Sequence, residues 1–256
     1  MKPKQKEKEF GYDDKLKFAG NYLNGKRNGK GKEYDDDGKL EFEGKYLNGK
    51  RNGKGKEYNY NGNLRFEGKY LNWKRNGKGK EYNYSLLAFE GRYLNGLRHG
   101  KGKEYYYNGN LRTECEYKNG ERFKTYRLYD VKGILYYDYD NTNRIIKEYN
   151  IFGNLSFRGV YLNGRRNGKG KEYFNDKLRF EGEYLDGRRN WKGKEYEYNG
   201  ILIFEGEYLN GRINGKGKEY FNDKLKFEGE YLNGSRHGKG KEYYNDKLIF
   251  EGEYIF

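Results

Sequence analysis

A unit of 23 or 24 residues recurs along nearly the whole chain, with one shorter interval of 20 residues. Its first position is usually phenylalanine and falls at Phe18, Phe42, Phe66, Phe89, Thr113, Tyr137, Phe157, Phe180, Phe204, Phe227 and Phe250. A unit this short cannot bury a core alone, so neighbouring copies must stack on one another. The repeat therefore constrains the fold more than any other feature of the sequence.

Each unit predicts a β-hairpin. Phe42, Gly44 and Tyr46 alternate with polar residues, and this period of two is typical of a strand with one buried face. Residues 48–53 indicate a glycine-bounded loop, and residues 54–58 a returning strand. Short strands joined by tight turns pair with their neighbours along the chain.

We therefore predict an all-β fold, an elongated single-sheet antiparallel meander or solenoid of tandem hairpin repeats; a compact β-barrel is the alternative. Glycines in the strands would let rings lie over bare backbone. The predicted division is a basic N-terminal tail at 1–9, repeats at 10–117, degenerate repeats at 118–156 and further repeats at 157–256.

Composition agrees with a thin β structure. Hydrophobic residues make up 33% and mean hydropathy is −1.37, values that alone would favour disorder. Aromatic residues make up 19%, however, which is far too much ring surface for a solvated coil. No run of about 18 apolar residues is present, and the first eight residues lack the apolar segment of a secretory signal. With a single cysteine, these features predict a cytoplasmic protein.

Residues 42–55 resemble the MORN repeat (membrane occupation and recognition nexus), which has aromatic-x-Gly-x-aromatic, then Asn/Asp-Gly, then Gly-x-Gly at a similar period. The resemblance covers about 10–256. It implies tandem hairpins, a non-catalytic scaffold, self-association and binding of acidic phospholipids. The Lys-Glu-Tyr strand is more similar to a second MORN subtype that is common in bacterial proteins. That likeness favours the alternative, a protein-interaction or immunity-type module with no role for lipid.

Basic residues recur in the predicted loops. They are Lys26, Arg27, Lys50, Arg51, Lys74, Arg75, Arg98, Arg165, Arg166, Arg188, Arg189, Arg212 and Arg236. In a meander these loops would project from one long edge, so their charges would add into a stripe that suits acidic phospholipids or acidic proteins. The alternative is a solvated edge that keeps the sheet soluble. Nucleic acid is not expected as a partner, because the rings are needed for packing.

Catalytic, metal and cofactor sites are not predicted. Glutamates such as Glu43 and Glu57 recur in most units, which favours cross-strand pairing with lysine over an active site. Cys115 stands in a glycine position. His99 and His237 lie six units apart, too far to share a metal ion.

Two further features suggest contacts with partners. Residues 118–156 lose the basic loop twice and gain apolar residues, so they are either decayed repeats that still pair or a bend or partner site. Tyr254, Ile255 and Phe256 would end the sheet as an uncapped apolar edge, which predicts a homodimer. Together these features predict a scaffold for other proteins, peripheral to the inner face of a membrane or on the cytoskeleton.

Overall fold

The fold comes from a computed structural model that describes residues 5–255. The elements of regular secondary structure within that range are all β-strands. The chain divides into two compact units, Met1–Gly133 (unit 1) and Ile134–Phe256 (unit 2). The division falls inside the stretch that the sequence identifies as degenerate, 118–156.

Unit 1 contains eleven strands in its described residues. They are β1 (Gln5–Phe10), β2 (Leu16–Leu23), β3 (Lys26–Tyr34), β4 (Leu40–Leu47), β5 (Lys50–Tyr58), β6 (Leu64–Leu71), β7 (Lys74–Asn83), β8 (Leu86–Leu94), β9 (Leu97–Tyr105), β10 (Leu111–Lys118) and β11 (Glu121–Tyr129). Each strand pairs antiparallel with the next along the chain. Because β1 covers Gln5–Phe10, the boundary that the sequence suggested between residues 9 and 10 lies inside a strand.

Unit 2 also has eleven strands in its described residues. They are β12 (Leu135–Asp140), β13 (Ile145–Tyr149), β14 (Leu155–Leu162), β15 (Arg165–Phe174), β16 (Lys177–Leu185), β17 (Arg188–Tyr196), β18 (Leu202–Leu209), β19 (Arg212–Phe221), β20 (Lys224–Leu232), β21 (Ser235–Tyr244) and β22 (Lys247–Tyr254). Consecutive strands again pair antiparallel. The predicted all-β meander of tandem hairpins is confirmed.

The turn inside each hairpin is shorter than the sequence indicated. Only Asn48 and Gly49 separate β4 from β5, and both have positive φ, 50° and 85°. Two consecutive residues of this kind form a type I′ turn, whose twist suits a hairpin. The loop predicted at 48–53 is therefore wrong in length, because Lys50 already belongs to β5. The glycines further along mark a β-bulge, in which residues 52–54 stand opposite the single residue Lys45.

The turns between hairpins take two forms. In the shorter repeats, the turn consists of two residues, such as Asn175 and Asp176, with φ of 48° and 59°. The longer repeats have a loop at this point. In one of them the Asn59 side chain accepts hydrogen bonds of 3.0 Å from the backbone N–H groups of Asn61 and Asn63. Asparagine stabilises such a loop because its short side chain reaches the backbone two residues on.

Phenylalanine and tyrosine rings cover one face of the sheet in each unit, called here the ring face. Phe66, Gly68 and Tyr70 of β6 alternate onto it, and Phe66 is fully buried. A Cβ at Gly79, on the next strand, would lie 2.5 Å from Cζ of Phe66. This is closer than side-chain carbons approach, so only glycine is compatible with the ring at that point.

The tyrosines link each hairpin to the one before it. Tyr70 makes edge-to-face contacts with Phe66 of its own hairpin and Phe42 of the preceding one, with ring centres 5.7 and 5.1 Å apart. Such a contact contributes about 0.5–1.5 kcal/mol beyond area burial. Each unit has its own row of buried rings. Stability therefore arises mainly between neighbouring hairpins, as in other repeat proteins.

The degenerate stretch keeps its strand pairing. Strand β11 pairs with β10, and β12, β13 and β14 pair in series. Thr113 takes the ring position of its hairpin, while Cys115 and Thr125 occupy facing glycine positions. A small side chain in the ring position leaves room above the backbone for these two side chains. The pairing favours decayed repeats over an inserted partner site.

Candidate anion-binding surfaces

The basic residues predicted to form one anion-binding edge separate into two sets. Consecutive residues of a strand point to opposite faces. The residue directly after each hairpin turn is exposed; these are Lys26, Lys50, Lys74, Arg165, Arg188 and Arg212. The following residue is partly buried on the ring face; these are Arg27, Arg51, Arg75, Arg98, Arg166, Arg189 and Arg236.

Each arginine of the second set stacks on the phenylalanine of its own hairpin. The guanidinium carbon of Arg75 lies 4.1 Å from the centre of the Phe66 ring. The same contact recurs in unit 2, where Arg189 lies 4.0 Å from the centre of Phe180. The planar guanidinium covers the outer side of the ring and is attracted to its π-electrons.

Glutamates of the preceding hairpin neutralise these arginines. Arg75 pairs with Glu57, and the Tyr70 hydroxyl donates a 2.6 Å hydrogen bond to the same carboxylate. Burial raises the pKa of Glu57, but hydrogen bonds from Arg75 and Tyr70 outweigh it and lower that pKa to about 2. Burial and the adjacent Glu57 raise the pKa of Tyr70. The second set thus belongs to a Phe–Arg–Glu–Tyr lattice and is not presented at the turns.

The first set lies beside exposed leucines. Lys50 is paired across the strands with Leu47, which is 50% exposed. Equivalent leucines are 40–58% exposed; they are Leu71, Leu94, Leu162, Leu185, Leu209 and Leu232. These leucines, Leu47 and the first basic set are called here the hairpin-turn edge. Neighbouring hairpins are two strands apart, which places their leucines about 10 Å from one another.

The face opposite the rings, called here the charged face, bears two rows of ionised side chains. In the alternating row, lysine and glutamate follow each other from strand to strand in both units. Examples are Lys103–Glu114 at 3.4 Å in unit 1 and Lys171–Glu181 at 2.7 Å in unit 2. In unit 2 the charged face lines an open groove of about 1420 Å³.

The second row, called here the central row, runs across the strands through Lys45. It contains one residue from each strand that it crosses. In unit 1 the seven strands β3 to β9 contribute only basic residues: Lys30, Lys45, Lys54, Lys69, Lys78, Arg92 and Lys101. Asn21 of β2 and Glu116 of β10 flank this basic stretch, and Glu116 lies opposite Lys101. In unit 2 lysine and glutamate alternate: Lys169, Glu183, Lys192, Glu207, Lys216, Glu230 and Lys239. The two units therefore present different charge patterns on the same backbone. None of these central-row residues was among those predicted from the sequence to bind anions.

The remaining candidate groups are engaged in structure. Cys115 is buried, and burial raises the pKa of its thiol, which disfavours the nucleophilic thiolate. Within residues 5–255, no group of three or more His, Cys, Asp or Glu side chains could hold a metal ion. In the same range, no helix has the length and apolar character needed to cross a membrane.

The MORN repeat pattern matches five segments of the chain, 42–64, 89–111, 157–179, 204–226 and 227–248. A MORN repeat variant matches residues 27–48. Together these segments cover half of the chain, so the protein belongs to the MORN repeat family. The family comprises non-enzymatic repeat modules of protein or membrane interactions.

No curated relative matches this sequence. A solved structure titled "Crystal Structure of TcdB2-TccC3-Cdc42" aligns over 99% of this chain at 9% identity, with a TM-score of 0.21. This chain spans 15% of the length of that one. A similarity of that size has no bearing on the fold or the function of this protein.

Proposed function

We propose that this chain is a non-catalytic scaffold that organises protein partners and attaches to acidic phospholipid membranes through its hairpin-turn edge. The proposal rests on the pairing of an exposed leucine with an exposed basic residue across the turn of five hairpins: Leu47–Lys50, Leu71–Lys74, Leu162–Arg165, Leu185–Arg188 and Leu209–Arg212. The attachment would be peripheral, at the inner face of a membrane or beside the cytoskeleton.

The chemistry of this edge suits the interface of an anionic bilayer. A lysine near an acidic leaflet contributes about 1 kcal/mol, and an exposed leucine gains by entering the boundary between headgroups and acyl chains. No single hairpin would hold the protein on a membrane. Several hairpins acting together raise the overall affinity, because the second contact becomes intramolecular once the first has formed.

The test is flotation with phosphatidylserine and phosphatidylcholine vesicles at low and high salt. The wild type should float with phosphatidylserine vesicles and be released by salt, because salt screens exposed charges. The triple variant Lys26→Glu, Lys50→Glu and Lys74→Glu should bind roughly 100-fold more weakly, at about 1 kcal/mol or more for each reversed charge. Lys39→Glu, Lys132→Glu and Lys177→Glu change the charge equally at the turns between hairpins and should have little effect. Binding that is absent or independent of salt would contradict the proposal.

A second candidate is a protein-interaction module without lipid. It is favoured by exposed rings at the turns between hairpins, on the edge opposite the hairpin-turn edge. Tyr60, Tyr84 and Tyr107 of unit 1 are 73%, 85% and 79% exposed. Exposed rings are common anchors of protein interfaces. Two results together would favour this candidate. The triple variant Tyr60→Ser, Tyr84→Ser and Tyr107→Ser would no longer capture a protein partner that the wild type captures, and neither protein would bind vesicles.

We further propose that the scaffold forms a homodimer through β22. Among the described residues β22 pairs only with β21, and Phe250 is 45% exposed where Phe227 is fully buried. Tyr254 packs on Phe227 with ring centres 5.4 Å apart, and Ile255 is exposed. Phe256, which the sequence also assigned to this contact, lies outside the described residues. Light scattering should give the mass of a dimer for the wild type and of a monomer for Phe250→Glu.

A further inference from the structure

The central row of unit 1 places like charges directly opposite each other. Three such cross-strand pairs are Lys30–Lys45, Lys54–Lys69 and Lys78–Arg92. The equivalent pairs of unit 2 are oppositely charged: Lys169–Glu183, Lys192–Glu207 and Lys216–Glu230. Like charges in this arrangement destabilise a sheet. Because unit 2 shows that the same backbone accepts glutamate, folding does not require the basic residues of unit 1.

The basic side chains of this row are also free of internal partners. All seven are exposed. In the range 5–255 no ion pair involves any of them, whereas the neighbouring alternating row contains pairs such as Lys32–Glu43. Unpaired charge that weakens the fold is typical of a binding site.

We infer that the central row of unit 1 binds an extended acidic polypeptide segment that lies across the strands. Seven strands at about 4.8 Å spacing place the basic side chains along roughly 29 Å. An extended segment of about nine residues spans that length. Glutamate or aspartate side chains on one side of such a segment would each lie within reach of a lysine or of Arg92.

Two features of the charged face favour a polypeptide over nucleic acid. The alternating row runs alongside the central row and contains Glu43, Glu67 and Glu90, which would repel a polymer that has a phosphate in every unit. A peptide can instead present N–H groups or basic side chains to these carboxylates. The tyrosine rings of this face are also engaged, since Tyr58, Tyr82 and Tyr105 donate 2.7 Å hydrogen bonds to the three glutamates. They are not available for stacking on bases.

The position of the row separates this site from membrane attachment. The central row lies inward of the leucines of the hairpin-turn edge, so a bilayer would meet the leucines first. The acidic-segment site therefore goes beyond the proposed membrane role and does not depend on it. A scaffold with both surfaces would bind a membrane at its edge and a partner on its charged face.

The test is fluorescence anisotropy of a labelled twelve-residue peptide of alternating glutamate and serine, titrated with the full chain at low salt. The wild type should bind, and salt should weaken the binding. The triple variant Lys45→Glu, Lys69→Glu and Arg92→Glu gives unit 1 the pattern of unit 2 and should lose roughly 100-fold in affinity. The reverse variant Glu183→Lys, Glu207→Lys and Glu230→Lys should create a second site in unit 2.

Controls separate this site from general charge and from the membrane proposal. The variant Lys39→Glu, Lys132→Glu and Lys177→Glu should bind the peptide as the wild type does. The hairpin-turn variant Lys26→Glu, Lys50→Glu and Lys74→Glu should lose vesicles and keep the peptide, and the central-row variant should do the opposite. Unchanged peptide binding by the central-row variant would overturn the inference. So would tighter binding of an oligothymidylate or polyphosphate of equal charge, or competition by phosphatidylserine vesicles.

Discussion

The contact between each phenylalanine and the glycine of the returning strand can be tested by a double-mutant cycle. Gly79→Ala would place a methyl group 2.5 Å from Cζ and 2.7 Å from Cε2 of Phe66. The ring cannot move away freely, because Arg75 lies over it at 4.1 Å and Tyr93 packs on it with ring centres 5.1 Å apart. The new methyl group therefore forces the ring out of these contacts.

Two opposing effects decide how much Gly79→Ala changes the free energy of unfolding. Alanine in place of glycine should stabilise a strand by about 0.5–1 kcal/mol, because the unfolded chain loses freedom. Forced overpacking costs about 1–3 kcal/mol. We therefore expect Gly79→Ala to destabilise unit 1. Phe66→Thr alone should destabilise it by about 3–5 kcal/mol, as a large-to-small change in a core does.

The chain itself suggests how the two changes combine. Where Thr113 occupies the ring position, Thr125 occupies the glycine position on the returning strand. In the background of Phe66→Thr, we therefore expect Gly79→Ala to be neutral or stabilising. The coupling free energy should then be about 1–3 kcal/mol.

The two tryptophans allow each unit to be followed separately, since Trp73 lies in unit 1 and Trp191 in unit 2. Urea unfolding in a Trp191→Phe background, followed by the fluorescence of Trp73, reports on unit 1. Additive effects of the two substitutions, or a stabilising effect of Gly79→Ala alone, would refute the argument that the ring excludes a side chain at this position.

Three further outcomes are expected. Glu57 has a pKa of about 2 against an ordinary value of 4.5, because hydrogen bonds from Arg75 and Tyr70 outweigh the effect of burial. A lowered pKa gives stability that is present above the ordinary pKa and lost as pH falls towards 2, so Glu57→Gln should flatten acid unfolding of unit 1 between about pH 5 and 2. Lys45→Glu with Lys69→Glu should raise the urea midpoint of unit 1 at low salt and much less at about 1 M salt, where charges are screened. Cys115 should react slowly with a thiol reagent in the native protein and at once in urea, since the thiol is buried.

The sequence predicts the hairpins well because their signal is local. The alternation of Phe42, Gly44 and Tyr46 identifies the strand, its buried face and the glycines under the rings. The turn was harder to predict, because the glycines at 49 and 53 fit either a six-residue loop or a type I′ turn followed by a bulge. Only the paired register of β4 and β5 decides between these two possibilities.

The wrong length of the predicted loop also affected the prediction of the anion-binding residues. Lys50 and Arg51 were expected to project together from a loop, but neighbours in a strand point to opposite faces. The repeats did contain a signal for this difference. The first position varies among lysine, arginine, leucine, glutamate and serine, whereas the second is arginine in most copies. A constant arginine is expected where the planar guanidinium group must both stack on a ring and pair with a carboxylate. Lysine does both less well.

The contrast between the two units was also visible in the sequence, as Phe-Glu-Gly-Lys-Tyr in the early repeats and Phe-Glu-Gly-Glu-Tyr in the later ones. Its meaning required the register, which places Lys69 opposite Lys54 in unit 1 and Glu207 opposite Lys192 in unit 2. Without these pairings, one charge among 54 basic and 39 acidic residues has no evident consequence.

The sheet thus separates the residues that fold it from the residues that are free to bind. Arginines on the ring face are neutralised by buried glutamates such as Glu33 and Glu57, so these charged residues belong to the core even though they lower the mean hydropathy. Lysines of the central row point away from the rings and contact none of them. Their charge can therefore change from one unit to the next at little risk to packing, and Lys69 and Glu207 show that it has. A repeat of this design can acquire a new partner by substitution at one position per hairpin, while its Phe–Arg–Glu–Tyr lattice stays the same.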